Sequence, residues 1–493
     1  MMISYDRIFC DYNVVLKSTL KKERFRRQGI RTLRKIGKYQ IYEILDEPLT
    51  TEVLTSLEYK YPLLGRYNEI EFFKDLLDEI GLSERPYSGL VIEGNERSGK
   101  SRILDAYSTI VKSRQIKLIQ LPLHPSFAEK SYSVLYHILL QMFDAETCIT
   151  INDREKVLIK YLSEIVEPED LCYLNYVMRV QFPQTSTFRE ETDWQRYKKM
   201  IDIFEKIINE IVGYVCILLD DVQYMDLFSW QFLSSILSNK HIVVAMTMLE
   251  PVSWDVLTQI ETGISQEKRL KIKSLNSLNG EYLTAFACQF LNVIGIPETL
   301  ERILSQHSKN GIGWCEAFLI SILQVKALEI ISISPKEVKK YNLVFPNPSY
   351  LSKIPVYLTP EELAPPLQWM QMTTLNVCVP SRKSKSIVEV NRDVIGLRID
   401  IYNRMNSYEQ DFIKCAAALG NIFHRSVLSN VISNSTPLYT SKAVAEMIRL
   451  RILECAMIQR KYFTSMTVYH AFKKRKTFSN MHHLVYCNCI RIR

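Results

Sequence analysis

Apolar and polar positions follow two rhythms along this chain, and the switches between them mark its elements. Between 62 and 250, unbroken apolar runs of strand length alternate with stretches of helical period. Ile70, Phe73, Leu76, Leu77 and Ile80 share one face of a predicted helix. Leu90-Val91-Ile92, within 89–93, reads as a buried strand, and Lys117–Leu121 as a second. From about 127 to 210 the pattern is mostly helical, broken at Phe182-Pro183 and by the polar stretch Gln184–Thr187. Val215–Leu219 is an apolar run that ends on two acids. A helix over Ser229–Ser238 and a strand over Ile242–Thr247 follow it. Apolar strands separated by helices predict an α/β fold with a doubly wound parallel sheet.

Outside this region the rhythm changes. After Gly37, the loose alternation through Tyr39, Ile41 and Ile44 predicts one strand behind a basic arm, with nothing apparent to pair it. Residues 251–345 read as helical, broken by Asn310-Gly311-Ile312-Gly313. Pro346–Pro380 holds Pro360, Pro365 and Pro366, precedes a Ser/Lys/Arg cluster at 381–385, and reads as a junction. Helices over Ser407–Leu419 and Ser441–Arg451, then the strand-like Ile452–Ile458, have the order of a winged helix. The expected organisation is a basic arm and strand (1–50), a linker (51–61), an α/β core (62–250) and a helical lid (251–345). A Pro-rich junction (346–392), a winged-helix-like domain (393–465) and a basic tail (466–493) complete it.

Candidate chemistry concentrates in one stretch. Gly94-Asn95-Glu96-Arg97-Ser98-Gly99-Lys100-Ser101 completes the pattern G-x-x-x-x-G-K-S/T between a predicted strand and a predicted helix. Gly94 and Gly99 let the backbone curl until successive N–H groups face one concavity, and the helix adds its positive end. Lys100 is then within reach of β- and γ-phosphates, and the Ser101 hydroxyl of Mg²⁺. Asp220-Asp221 closes the later strand. In such a fold the first acid holds Mg²⁺ opposite the loop serine, and the second orients or deprotonates a water. Thr247, at the next strand end, is a candidate sensor facing the γ-phosphate. The cofactors expected are ATP and Mg²⁺.

Composition narrows the classes. Apolar residues make up 47% of the 493 and charged ones 24%, as in ordinary globular proteins, and no apolar run has the length of a membrane span. Eleven cysteines without a CxxC pair, and a chain start without a signal-peptide core, point to a reducing, cytoplasmic setting. The net charge of +8 is uneven: ten Lys/Arg against one acid lie between Lys17 and Lys38, and six against none from Lys473 to Arg493. His482-His483 with Cys487 and Cys489 lacks the spacing of a structural zinc site.

Pro62-Leu63-Leu64-Gly65-Arg66, the loop at 94–101, Val180-Gln181-Phe182-Pro183 and Asp220-Asp221-Val222-Gln223, in this order, resemble the soluble (bicarbonate-responsive) adenylyl cyclase family. The resemblance is to the AAA/STAND-like ATPase and winged-helix region downstream of the cyclase domains. Cys415-Ala416-Ala417-Ala418-Leu419-Gly420 and Ile490-Arg491-Ile492-Arg493 extend it to nearly all of 60–493. Arg34–Glu43 is similar to the closing strand of a class III cyclase domain, which reads K-G-I-x-x-x-x-V/I-Y-E. The paired aspartates of a cyclase site do not precede it.

The resemblance implies a P-loop NTPase sheet with a helical lid, followed by a winged-helix-like domain. It also implies an ATP-binding regulatory module of cyclic AMP signalling that makes no cyclic AMP itself. Its partners would be ATP and cyclase catalytic domains or a cyclase polypeptide. Two departures bear on activity. Asp221 stands where Glu is common, so weak ATP hydrolysis at most is expected. Gly311-Ile312-Gly313 replaces a Gly-x-Pro of the lid, which implies a looser lid. A stand-alone NTPase switch or scaffold is the alternative. A winged-helix nucleic-acid-binding ATPase is disfavoured, because Lys442, Arg449 and Arg451 are offset by Glu446.

Overall fold

The computed structural model describes residues 8–11, 25–33, 37–44, 61–146, 148, 150–251, 258–307, 311–351, 373–381, 393–419, 422–424, 428, 431–432, 436–455 and 489–492. They fall into two units: Met1–Thr55 with Leu139–Glu191, and Ser56–Ile138 with Thr192–Arg493.

In the first unit, β1 (Ile8–Asp11), β2 (Phe25–Leu33) and β3 (Gly37–Ile44) form an antiparallel sheet in the order β1-β3-β2. The strand expected to stand alone is therefore the central one, and half of the basic arm is strand. Its arginines obscured this, yet an edge strand tolerates charge and gains protection against stray pairing from it. The same unit holds a helix over Ile151–Leu162, whose first turn Thr150 caps by accepting from Asp153 N at 3.1 Å. Phe182, at the predicted break, exchanges two 2.8 Å hydrogen bonds with the Asn175 side chain.

The second unit is built on a five-stranded sheet. After α1 (Tyr67–Asp78) come β4 (Gly89–Gly94), α2 (Lys100–Lys112), β5 (Lys117–Pro122) and the start of α3 (Ser133–Met142), whose last four residues count with the first unit. Then follow α4 (Asp193–Ile207), β6 (Val215–Asp220), α5 (Leu227–Ile236), β7 (Ile242–Leu249) and β8 (Leu270–Ser274). The order is β5-β6-β7-β4-β8, parallel throughout. One face packs Leu90, Ile92, Cys216, Leu218, Val243 and Ala245 against α1 and α2. There Phe73 and Tyr107 stack at 3.9 Å. Val91, Ile217, Leu219, Val244 and Met246 point to the other face and are equally buried.

β8 corrects the expected boundary at 250, since residues read as helical lid supply the fifth strand of the core. Leu270-Lys271-Ile272-Lys273-Ser274 alternates because it is an edge strand with one wet face, and only the fully apolar strands stood out in sequence.

Most of the remainder of this unit shares one apolar core, while Ile333, Leu375, Val377 and Val379 form a smaller separate cluster. α6 (Gly280–Leu291), α7 (Gly311–Gln324), α8 (Val394–Asn403), α9 (Ser407–Leu419) and α10 (Pro437–Arg449) contribute Leu283, Phe318, Leu397, Phe412 and Met447 to a single cluster. β9 (Leu328–Ile333) pairs antiparallel with β10 (Leu375–Pro380), so the Pro-rich junction contains a strand that belongs with the lid. β11 (Ile422–His424), β12 (Leu453–Cys455) and β13 (Cys489–Ile492) form a small sheet in the order β11-β13-β12. The expected basic tail thus returns a central strand. Its Lys/Arg content concealed four residues of β character.

Free thiols are buried at Cys216, Cys288, Cys315 and Cys378, and burial pushes the last two up to about 12, which leaves them unreactive. His482, His483 and Cys487 lie outside the described residues. No described helix is long and apolar enough to cross a membrane.

Trp314 on α7 is fully buried, stacked on Phe318 at 5.0 Å and on His307 at 4.5 Å. Trp314→Ala is expected to cost about 3–5 kcal/mol by opening a cavity in the shared core. Urea unfolding followed by tryptophan-independent circular dichroism checks this.

Candidate functional site

The parallel sheet directs every strand's carboxyl end to one edge. β7 lies between β4 and β6, so the end of β7 separates the loop after β4 from the acids after β6. The chain leaves β4 and β7 toward opposite sides of the sheet, the place where open α/β sheets form a crevice.

The loop turns sharply out of β4. Ser98 N donates to Asn95 O at 3.2 Å, and Gly99, at φ 96, takes the left-handed conformation from which α2 starts. A Cβ on Gly94 would stand 2.8 Å from Ser98 Oγ, so the first glycine is demanded by packing and the second by conformation. Lys100 is 6% exposed, and its Nζ donates to Gly94 O at 2.8 Å and Asn95 O at 2.9 Å. The ammonium thus lies inside the curl of the loop.

Across from it, the acids are tied together by one hydroxyl. Thr247 Oγ1 donates to Asp220 Oδ1 and accepts from Asp221 N at 2.9 Å. Its single proton is committed to Asp220. Thr247, the candidate sensor, is fully buried here and brackets the two acids. Asp221 sits at φ 61, a left-handed conformation that Asp tolerates better than most residues, and this turns its carboxylate away from the strand line. Gln223 then holds that carboxylate, donating from Nε2 to Oδ1 at 3.1 Å while its Oε1 accepts from Leu249 N at 3.3 Å.

Ser101 acts on the Asp220 carboxyl, drawing its pKa down, so the two groups that sequence assigns to a metal are near one another. Among the described residues, no group of three or more His, Cys, Asp and Glu is disposed to hold a metal ion. One carboxylate and one hydroxyl fit Mg²⁺ nonetheless, which keeps several waters and takes further ligands from phosphates.

Asp226 went unnoticed in the sequence. Its buried carboxylate accepts from Tyr132 N (2.7 Å), Ser133 Oγ (3.1 Å), Ser229 N (3.0 Å) and Ser229 Oγ (2.6 Å). It fastens the segment after the acids to the start of α3 and caps α5. A lone Asp before an apolar helix signals only the cap.

The electrostatics are unbalanced. Burial lowers the pKa of Lys100, against the raising influence of Asp221, Asp220, Glu96 and Glu250 in that order. Burial also raises the Asp220 carboxyl, while Thr247 and Ser101 draw it back down. Four carboxylates around one ammonium repel a polyphosphate unless a cation accompanies it.

The sheet order and its flanking helices define an α/β protein of phosphate-loop-like architecture. Among curated proteins, the chain is similar to adenylate cyclase type 10 of Oryctolagus cuniculus, with 22% identity over 405 residues. The corresponding proteins of Rattus norvegicus and Homo sapiens are each 21% identical, over 422 and 401 residues. In each case 80% of this chain is covered, and the chain spans 24% of the relative's length. No family profile matches the chain. Among solved structures, it is similar to C. elegans PCH-2, at TM-score 0.26 and 11% identity over 48% of this chain and 49% of that one. A DNA replication initiation factor gives TM-score 0.28 and 13% identity over 86% and 95%. At those scores neither likeness bears on the site.

Two outcomes follow from the charge balance. Omitting Mg²⁺ should weaken nucleotide binding by about tenfold or more, since uncompensated charges a few ångströms apart cost more than 1 kcal/mol. Isothermal titration with and without EDTA measures this. Because Asp220 must be ionised to hold the metal and its pKa is raised, Mg²⁺-dependent binding should fall on acidification at a pH above the ordinary aspartate range. Asp220→Asn should abolish that limb of the pH profile.

Proposed function

We propose that the chain is an ATP·Mg²⁺-binding regulatory NTPase module of the soluble adenylyl cyclase type, acting in cyclic AMP signalling. The single observation that carries this reading is the convergence of Lys100, Ser101, Asp220 and Asp221 at one sheet edge. Lys100 feels the charges of Asp221 and Asp220, which lie 121 and 120 positions on, and Thr247 brackets those two acids. Gly94–Ser101 and the N-terminus of α2 would cradle the phosphates. Ser101 and Asp220 would hold Mg²⁺, which supplies charge neutralisation between phosphates and acids. Asp221, fixed by Gln223, would orient a water. Its side chain is one methylene shorter than Glu, which supports slow hydrolysis and a switch-like role.

The elements α9, β11, α10, β12 and β13 follow the order of a winged helix. Its helix α10 is poorly suited to nucleic acid. Arg449 pairs with Glu446 at 2.5 Å and donates to Leu323 O at 3.0 Å, and Arg451 donates to Leu291 O at 3.0 Å. Those arginines face the protein, which favours a docking role over phosphate-backbone contact. The similarity to adenylate cyclase type 10 supports a cyclase polypeptide as partner.

Lys100→Ala is expected to reduce ATP affinity at least about tenfold, by removing a charge-assisted contact. Asp221→Asn should leave affinity within about threefold and lower the single-turnover rate by roughly 10²-fold, the range of a lost general base. The chain alone should produce no cyclic AMP. Cyclic AMP formation by purified 1–493, or full ATP affinity in the Lys100 variant, overturns the reading.

A further inference from the structure

The five-stranded sheet is open at β8. Among the described residues β8 pairs with β4 and with no second strand. Gly89 N donates to Arg269 O at 3.2 Å, and Leu275 N donates to Glu93 O at 2.8 Å. Those bonds fix the parity of the strand. The odd-numbered residues face β4, so the N–H and C=O groups of Ile272 and Ser274 point away from the sheet. The register with β4 runs from Leu270 to Ser274 without a bulge, and no proline interrupts it. The edge is a regular template of donors and acceptors.

Charge is concentrated along it. Lys268, Arg269, Lys271 and Lys273 are four basic residues within six positions, and the first three are exposed. An edge lysine ordinarily blocks pairing by projecting across the open side of its strand. Here both strand lysines are folded back over aromatic rings. Lys273 Nζ lies 4.2 Å from the centre of the Phe72 ring and donates to Asn68 O at 3.2 Å. Lys271 Nζ lies 5.6 Å from the centre of the Tyr87 ring. Glu69 and Asp75 of α1 offset Lys273 in part. Glu267 is taken up by Ser234 Oγ at 2.9 Å and Arg269 N at 3.2 Å. On the other face of the strand Leu270 is buried, Ile272 is half-buried and Ser274 Oγ donates to Glu93. An incoming strand therefore meets ammonium groups on one face and apolar surface on the other.

We propose that the β8 edge is a docking site for an extended, acidic segment of another polypeptide. The segment adds to the sheet as a further strand, with acids on the lysine face and apolar side chains beside Ile272. A second copy of this chain is a poor occupant. Two β8 edges laid antiparallel about Ile272 set Lys271 opposite Lys273, and like charges directly opposed are destabilising. The docking site is independent of whether the loop binds nucleotide.

The test uses the full chain and a labelled, end-blocked peptide of alternating glutamate and valine. Fluorescence anisotropy should show saturable binding that weakens as salt is raised. The same peptide with lysine for glutamate should bind at least about tenfold more weakly. Only one edge of an added strand faces β8, so N-methylation of either the glutamates or the valines should cost at least about tenfold. The other methylation should stay within about threefold. Lys271→Glu with Lys273→Glu should weaken the acidic peptide at least about tenfold, and binding to the natural chain should protect the Ile272 and Ser274 amides from hydrogen exchange. Equal effects of the two methylations overturn the proposal, as does absence of binding up to about 1 mM peptide. Undiminished binding to the doubly substituted chain, which keeps its other basic segments, overturns it too. Self-association of the chain that Ile272→Pro abolishes makes a second copy the occupant and has the same force. The methylated peptides leave the protein untouched, so the result holds even where a variant fails to fold.

Discussion

The candidate site depends on the position of β7 between the loop strand and the acid strand. Were β4 and β6 neighbours, the lysine and the aspartates would be one strand spacing apart, about 4.8 Å, with no room for a phosphate and a hydrated cation. The inserted strand doubles that spacing. It also delivers Thr247, whose hydroxyl occupies the gap at the sheet edge and fixes both carboxylates. The price of that geometry is a buried Thr, a raised Asp220 pKa and an Asp221 in the left-handed region. A bound Mg²⁺ would relieve the second of these.

Much of this was legible in the sequence because the three inner strands are apolar on both faces. Val215–Leu219 and Ile242–Met246 cannot be mistaken for amphipathic helices, and a glycine-framed lysine between strand and helix is locally encoded. What was not legible depends on non-local pairing. β8 and β2 are edge strands whose lysines and arginines hide their period. β10 and β13 are short and sit beyond proline-rich or basic stretches, and their partners lie 42 or more residues upstream in the case of β10. The roles of Glu96 and Arg97, which pair with Arg398 and Glu316, and of Gln223 were invisible for the same reason. Each is defined by a side chain brought close only by folding, and none of these residue types at that position carries a local signature.

Thr247 shows how residue type leaves two roles open. A hydroxyl at a strand end beside acids reads equally as a donor to substrate or as a bracket for the acids, and only the hydrogen-bond count decides. Once its one proton is given to Asp220, no donor is left over. At Gly313 the space left by the missing side chain is approached by Arg97 Cβ and Glu96 O of the loop.

The small sheet β11-β13-β12 imposes an order on assembly during synthesis. β11 and β12 are complete by residue 455 but, among the described residues, both pair only with 489–492. The phosphate-loop sheet, by contrast, is complete once residue 274 has emerged. At about 5–20 residues per second, translation separates the two events by roughly 10–45 s. A nascent chain therefore presents a finished loop with its outward charges unmet, and Arg398 settles into place on a surface that is already folded.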